Sequence, residues 1–123
     1  MTGNPVGWFE IYVQDMARAK TFYEAVFQVS LSALNSATPE LWAFPAVMTS
    51  PGSSGALAYM PGMPSGGNST IVYFSCQDCA VEAARIVPAG GRILKEKFSI
   101  GPYGFVALGF DTEGNVIGLH SMQ

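Results

Sequence analysis

A strand-helix-strands pattern occurs twice in this 123-residue chain, and the repeat constrains the fold more than any other feature. Gln14 and Asp15 lie between a strand-like and a helix-like segment, and Gln77 and Asp78 do so 63 positions later. In both copies an alanine follows two residues after the aspartate. Because self-similar segments fold alike, the sequence predicts two similar modules related by a pseudo-twofold axis.

Each copy has the predicted order β-α-β-β-β, which makes the fold class α+β. Alternating aromatic and β-branched residues predict a strand over Gly7–Val13, and helical spacing behind Asp15 predicts a helix. The remaining strands predicted for the first copy are Val29–Leu34, Leu41–Val47 and Gly55–Met60. The second copy is predicted to have a helix over Asp78–Val87 and strands at Ser69–Cys76, Arg92–Phe98, Tyr103–Phe110 and Val116–Ser121.

Residues 61–68 are rich in proline and glycine and have no periodicity, so they are predicted to connect the two halves. Module one then covers about residues 6–60, and module two covers about 69–121. A chain of this length buries one core, so residues 1–123 are expected to form a single domain.

Composition limits the possible partners. The net charge is −3 and the six lysines and arginines are scattered, so we expect no nucleic-acid partner. No signal peptide or membrane-spanning run is recognisable, and two cysteines fit a reducing compartment, which together predict a cytoplasmic protein without a membrane partner. Only 12% of residues are charged, so part of the surface is a candidate interface.

Several segments carry a family resemblance. They are FEIYVQDMARAKTFYEAVF, VYFSCQD, PAGGRIL, the segment Gly101–Phe105 and the ending DTEGNVIGLHS. Together they resemble the glyoxalase, bleomycin-resistance and extradiol dioxygenase superfamily, also called vicinal oxygen chelate proteins, over nearly the whole chain. The resemblance implies paired βαβββ modules that form an open barrel-like sheet around a cavity, and commonly a homodimer.

Metal-dependent members of this family carry His or Glu at four barrel positions. The resemblance places these positions at Trp8, Ile71, Gly118 and within the stretch Gly55-Ala56-Leu57. None of these residues has a donor suited to a divalent metal. We therefore expect no metal and no other cofactor, and metal-dependent glyoxalase or dioxygenase activity is not expected.

Glu10 and His120 are the candidate catalytic residues. By strand alternation, Glu10 shares a face with Trp8 and His120 shares a face with Gly118, so both are expected to project into the cavity. A carboxylate beside the only histidine would suit an acid-base pair. The alternative is a structural hydrogen bond or ion pair between them.

Aromatic side chains are the candidate ligand-binding residues, because planar rings supply contact area and polar tips supply orientation. They are Trp8, Tyr12, Trp42, Tyr73, Tyr103 and Phe105. The alternative for each of them is packing in the core.

Cys76 and Cys79 have the C-x-x-C spacing of redox motifs, and Cys79 lies near a predicted helix start. Cys76 occupies the position that Val13 has in module one, which favours packing instead.

The leading hypothesis is a metal-independent protein that binds a small apolar or aromatic molecule in the cavity. The alternative is a metal-independent isomerase, lyase or hydrolase that uses Glu10 and His120. Two further possibilities remain open: a metal bound by Glu10, His120 and water, and a scaffold that works only through dimer contacts.

Overall fold

The computed structural model describes residues 3–123 and contains the predicted β-α-β-β-β order twice. Module one consists of β1 (Phe9–Tyr12), α1 (Met16–Phe27), β2 (Ser32–Ala33), β3 (Glu40–Ala43) and β4 (Gly55–Tyr59). Module two consists of β5 (Val72–Ser75), α2 (Cys79–Ile86), β6 (Arg92–Ser99), β7 (Phe105–Phe110) and β8 (Val116–Ser121). The α+β fold class and the paired modules are confirmed.

Each module forms its own four-stranded sheet, and the two strand orders correspond. The orders are β1-β4-β3-β2 and β5-β8-β7-β6. In both, the first strand pairs in parallel with the last, and the other neighbours are antiparallel. Because the two sheets are separate, the description as an open barrel-like sheet applies only loosely.

Both helices begin at the repeated aspartate. The Asp15 carboxylate accepts a hydrogen bond from the main-chain N–H of Arg18, and the Asp78 carboxylate accepts one from Ala80 N–H. An aspartate at this position satisfies a main-chain donor that the first helical turn leaves free. The repeat seen in the sequence is therefore a repeat of helix caps.

Several strands are shorter than predicted. β2 covers only two residues, and β3 ends before Pro45, which has no N–H to donate to a sheet. Tyr103 was predicted to begin a strand, but it lies in a 3₁₀ turn over Gly101–Tyr103. Gly104, with a φ of 106°, separates this turn from β7.

Aromatic side chains from both modules pack together in the core. The ring centroids of Phe27 and Phe74 are 4.3 Å apart, and those of Phe9 and Phe74 are 6.2 Å apart. Phe44 adds a third contact with Phe74 at 5.5 Å. The β1 and β5 edges are thus joined on the side of the sheets that the helices cover.

The β7–β8 turn has the sequence DTEGN. It is held by hydrogen bonds within the turn, and it also connects module two to module one. The Asp111 carboxylate accepts hydrogen bonds from the N–H groups of Glu113 and Asn115, both at 2.8 Å. It also accepts one from the Tyr23 hydroxyl of α1 at 2.6 Å, in a fully buried position. Asp111 therefore begins a hairpin turn between the antiparallel strands β7 and β8.

No helix within residues 3–123 is long and apolar enough to cross a membrane.

Candidate functional site

A hollow of about 370 Å³ lies on the face of the module-two sheet opposite α2. Four of its lining residues form a row across the four strands, because each is paired in register with the next. This row consists of Ser75, His120, Val106 and Phe98. Tyr73 and Ile100 complete the lining. We call this site the module-two hollow.

His120 is held in a fixed orientation at this site. Its Nε2 lies 2.7 Å from the main-chain oxygen of Tyr103. Because a carbonyl oxygen only accepts, Nε2 carries a proton and donates it. In the neutral imidazole, Nδ1 is then the nitrogen that has a lone pair available for a bound molecule.

Glu10 lies on the other sheet, and no hydrogen bond joins it to His120. Its carboxylate accepts hydrogen bonds from Trp8 Nε1 at 3.2 Å and from the Tyr12 hydroxyl at 3.3 Å. Burial, followed by the nearby Glu10 carboxylate, raises the pKa of Tyr12. Glu10 lines a second cavity of about 400 Å³, between β1 and the 61–68 connector. Within one chain, the two candidate catalytic residues therefore lie on different sheets and line different cavities.

Four of the six aromatic candidates lie near these two cavities. Trp8 and Tyr12 surround Glu10, Tyr73 lines the module-two hollow, and Tyr103 holds His120 through its carbonyl oxygen. The Tyr103 side chain is 73% exposed, so its contribution to the hollow comes from the main chain.

Trp42 lies on the opposite, helix-covered face of its sheet. It pairs in register with Leu57, and the Lys20 ammonium of α1 is 3.3 Å from its ring centroid. The sequence prediction includes Trp42 among the cavity aromatics for its ring alone, without assigning it to a face of β3.

Phe105 also lies on the helix-covered face, next to Val106 in sequence but opposite to it in direction. It packs against the buried core, and the Lys97 ammonium lies 4.8 Å from its ring centroid.

The sequence did not identify Phe98, Ile100 or Val106 as site residues. In β6, the pairing with β7 shifts register twice, between Ile93 and Lys95 and between Lys95 and Phe98. Each shift changes which face the next residue occupies, so simple alternation cannot assign Phe98. Val106 could have been identified from the sequence, because it alternates with Phe105 and Ala107 in a regular strand.

The residues at the inherited metal positions do not fit a metal. A side chain at Gly118 would place its Cβ closer to Cδ1 of Tyr73 than van der Waals contact allows, so the Tyr73 ring already occupies that space. Trp8 donates its only polar hydrogen to Glu10. Within residues 3–123, no three His, Cys, Asp or Glu side chains converge as metal ligands would.

The two cysteines are free thiols, and Cys79 is fully buried. Burial, together with the nearby Glu82 carboxylate, raises the pKa of Cys76 to about 12. A redox motif requires a lowered thiol pKa, because the thiolate is the reactive form. This environment favours the packing interpretation of the C-x-x-C motif over the redox one.

A family model confirms the resemblance seen in the sequence. Residues 6–119 match the Glyoxalase/Bleomycin resistance protein/Dioxygenase superfamily, and the chain therefore belongs to this superfamily. A comparison with curated proteins gave no match.

Solved structures with the same fold include proteins of different kinds. TnmS3, an antibiotic binding protein from Streptomyces sp. CB03234, has a TM-score of 0.73 at 24% identity, covering 98% of both chains. A glyoxalase/bleomycin resistance protein from Albidiferax ferrireducens T118 has 0.70 at 21%, covering 94% of this chain and 98% of that one. A glyoxalase I mutant from Zea mays has 0.74 at 19%, covering 96% of this chain and 46% of that one. At these identities the likeness establishes the fold alone.

Proposed function

We propose that this protein binds a small apolar or aromatic molecule in the module-two hollow, without a metal. The observation that carries the proposal is the row Ser75, His120, Val106 and Phe98. In this row one oriented imidazole lies among largely apolar side chains. Binding sites for small molecules combine an apolar lining with a few polar groups that fix orientation. The fold similarity to an antibiotic binding protein is consistent with this role.

We propose binding without a metal because of the side chains at the positions where metal-dependent family members have their ligands. The Tyr73 ring covers Gly118, and Trp8 offers no lone pair to a cation. In our proposal Tyr73 supplies contact area to the bound molecule, where a metal-dependent protein would have a ligand. His120 Nδ1 accepts a hydrogen bond from a hydroxyl or N–H of that molecule.

A second copy of the chain is proposed to cover the hollow and form a homodimer. Trp8 is 44% exposed and Tyr73 is 51% exposed, which leaves large rings of both modules in contact with water. The charges of the two sheets are also complementary. Glu10 is the acidic residue beside Trp8, whereas Arg92 and Lys95 lie in register with Phe110 and Leu108 on the module-two sheet. Pairing of unlike faces would bury the rings and bring the opposite charges together.

The alternative function, an acid-base enzyme that uses Glu10 and His120, is less well supported. Within one chain each residue is hydrogen-bonded to a different partner, on a different sheet. A general acid and a general base must both reach the same substrate. Such an enzyme would therefore require the two residues to meet across two copies of the chain.

The binding proposal is tested by filling the hollow. We expect Val106→Phe to abolish binding of an aromatic probe such as naphthol, because Val106 lies in the centre of the row. Val81→Phe is the matched control and should leave binding unchanged, because Val81 is a 49% exposed residue of α2. Amide NMR titration measures both. Unchanged binding by a folded Val106→Phe protein would contradict the proposal. If Val106→Phe does not fold, Ile100→Phe at the rim of the hollow is tested in its place.

A further inference from the structure

A third and larger cavity lies between the two modules, on the side of the core aromatics. Its volume is about 630 Å³, which is within the range of small-molecule sites. One wall is the free edge of β5, the end strand of its sheet, and the opposite wall is the 45–54 loop. The rings of Phe9, Phe27, Phe44 and Phe74 line it. We call this cavity the intermodule groove.

One carboxylate lines this groove, whose other polar side chains are the hydroxyls of Ser53, Ser54, Thr70, Tyr73 and Ser75. Glu82, in the first turn of α2, contributes an Oε1 atom that is buried and has no hydrogen-bond partner. Buried polar atoms nearly always have a partner, because an unpartnered one loses its hydration without compensation. Burying a carboxylate oxygen without a partner costs more free energy than burying a neutral polar atom without one.

No cation of the described chain compensates Glu82. Residues 3–123 form two ion pairs, Arg18 with Glu113 and Lys97 with Asp78. Arg85, one turn further along α2, donates instead to the main-chain oxygen of Val26 at 3.1 Å. The neighbouring Cys76 thiol donates to the main-chain oxygen of Phe74 at 3.6 Å, and burial, followed by the charge of Glu82 and hydrogen bonding with it, raises the pKa of this thiol to about 12. A neutral thiol is only a weak donor, so it does not compensate the charge of Glu82.

We propose that the intermodule groove is a binding site for an organic cation, an ammonium or guanidinium group attached to an aromatic or alkyl body. The cationic group donates to Glu82 Oε1 and lies against the faces of the neighbouring rings. A charge-assisted hydrogen bond and cation–π contacts both strengthen when water is excluded. The apolar body of the ligand occupies the groove along Phe27, Phe44 and Phe74. Tyr73 and Ser75 line both this groove and the module-two hollow, whereas Phe27, Phe44 and Glu82 line the groove and not the hollow.

Three probes of similar shape and different charge test the proposal. They are phenethylammonium, phenethyl alcohol and phenylacetate, each titrated into the full chain and followed by amide NMR. We expect phenethylammonium to bind tightest and to shift the signals of Phe27, Phe44 and Glu82. Glu82→Gln should weaken its binding about tenfold or more, as expected for loss of a charge-assisted contact, and leave the alcohol unaffected. Glu96→Gln, an exposed residue of β6, is the matched control.

The outcomes distinguish the proposed cation site in the intermodule groove from the proposed binding in the module-two hollow. Val106→Phe should leave phenethylammonium binding intact, because Val106 does not line the groove. Glu82→Gln should also raise the melting temperature of the free protein, since it removes an unpartnered buried charge. Equal affinity for the three probes, an unchanged affinity of Glu82→Gln, or shifts confined to the residues that line the hollow and not the groove (Phe98, Ile100, Val106 and His120) would overturn the proposal. Groove signals that respond to protein concentration and not to the probe would assign the groove to a second copy, and would overturn it as well.

Discussion

Arg18 and Glu113, 95 residues apart, form a bidentate ion pair that joins module one to module two. Arg18 Nε lies 2.7 Å from Oε2 of Glu113, and Nη2 lies 2.9 Å from Oε1. Glu113 also accepts the N–H groups of Gln14 and Asp15, both at 2.9 Å. Its side chain is fully buried by these contacts. One carboxylate in the β7–β8 turn thus fixes the start of α1.

We expect Glu113→Gln to destabilise the protein substantially. The amide keeps the size of the side chain but removes the charge that Arg18 and two main-chain donors share. We expect the free energy of unfolding to fall by about 2 kcal/mol or more, the order found when one partner of a buried charged network is lost. Urea denaturation measures it. Glu96→Gln, an exposed acid, is the control and should change stability by less than about 0.5 kcal/mol.

The same carboxylate predicts how stability depends on pH. Burial acts to raise its pKa, but hydrogen bonds from Arg18, Gln14, Asp15 and Thr112 prevail and lower the pKa to about 2, from an ordinary value of 4.5. A lowered pKa in the folded state stabilises the fold above the unfolded value. This stabilisation should be complete above pH 4.5 and should disappear as the pH falls towards 2. Denaturation at a series of pH values should show this loss in the wild type, and an equally steep loss in Glu113→Gln would contradict it.

Tyr23 provides a second connection between the modules, and its hydroxyl can be removed alone. We expect Tyr23→Phe to lower the free energy of unfolding by about 1.5–3 kcal/mol, because the buried Asp111 carboxylate loses a hydrogen bond of 2.6 Å. Burial, reinforced by Asp111, raises the pKa of Tyr23, so the hydroxyl remains a donor at neutral pH. Thermal unfolding measures the change. Tyr59→Phe is the matched control, and a similar loss in both variants would argue against the connection.

Much of this architecture follows from sequence patterns of short range. The aspartate caps, the amphipathic helices and the DTEGN turn are local, so their elements are predicted at the observed places, with strand ends differing by a few residues. The pairing of Arg18 with Glu113 is not predictable in this way. Nothing local indicates which acid a surface arginine will meet 95 positions away.

The candidate site was predicted less completely, for a physical reason. Strand alternation correctly places Glu10 with Trp8, and places Tyr73 and His120 on one face of their sheet. It cannot assign Phe98, because β6 is bulged, and it did not enter the choice of Trp42, which the sequence prediction includes for its aromatic ring alone. The separation of Glu10 from His120 depends on how the two sheets sit, which alternation within each strand does not determine.

The contact between Tyr73 and Gly118 can be tested by a double-mutant cycle. We expect Gly118→Ala to destabilise the protein by about 1–2 kcal/mol, because the new Cβ meets the Tyr73 ring. In a Tyr73→Ala background the same change should cost much less, since the ring is gone. Chemical denaturation of the four proteins gives the coupling energy. Additive effects would mean that the ring does not occupy the space above Gly118.

The central claim, metal-independent binding in the module-two hollow, is tested most directly by calorimetric titration of naphthol into protein treated with EDTA. The metal content of the same sample is measured in parallel. We predict one binding event per chain, with the same affinity before and after EDTA treatment, and its loss in Val106→Phe. Stoichiometric bound metal, or binding that EDTA abolishes and a divalent metal restores, would contradict the claim.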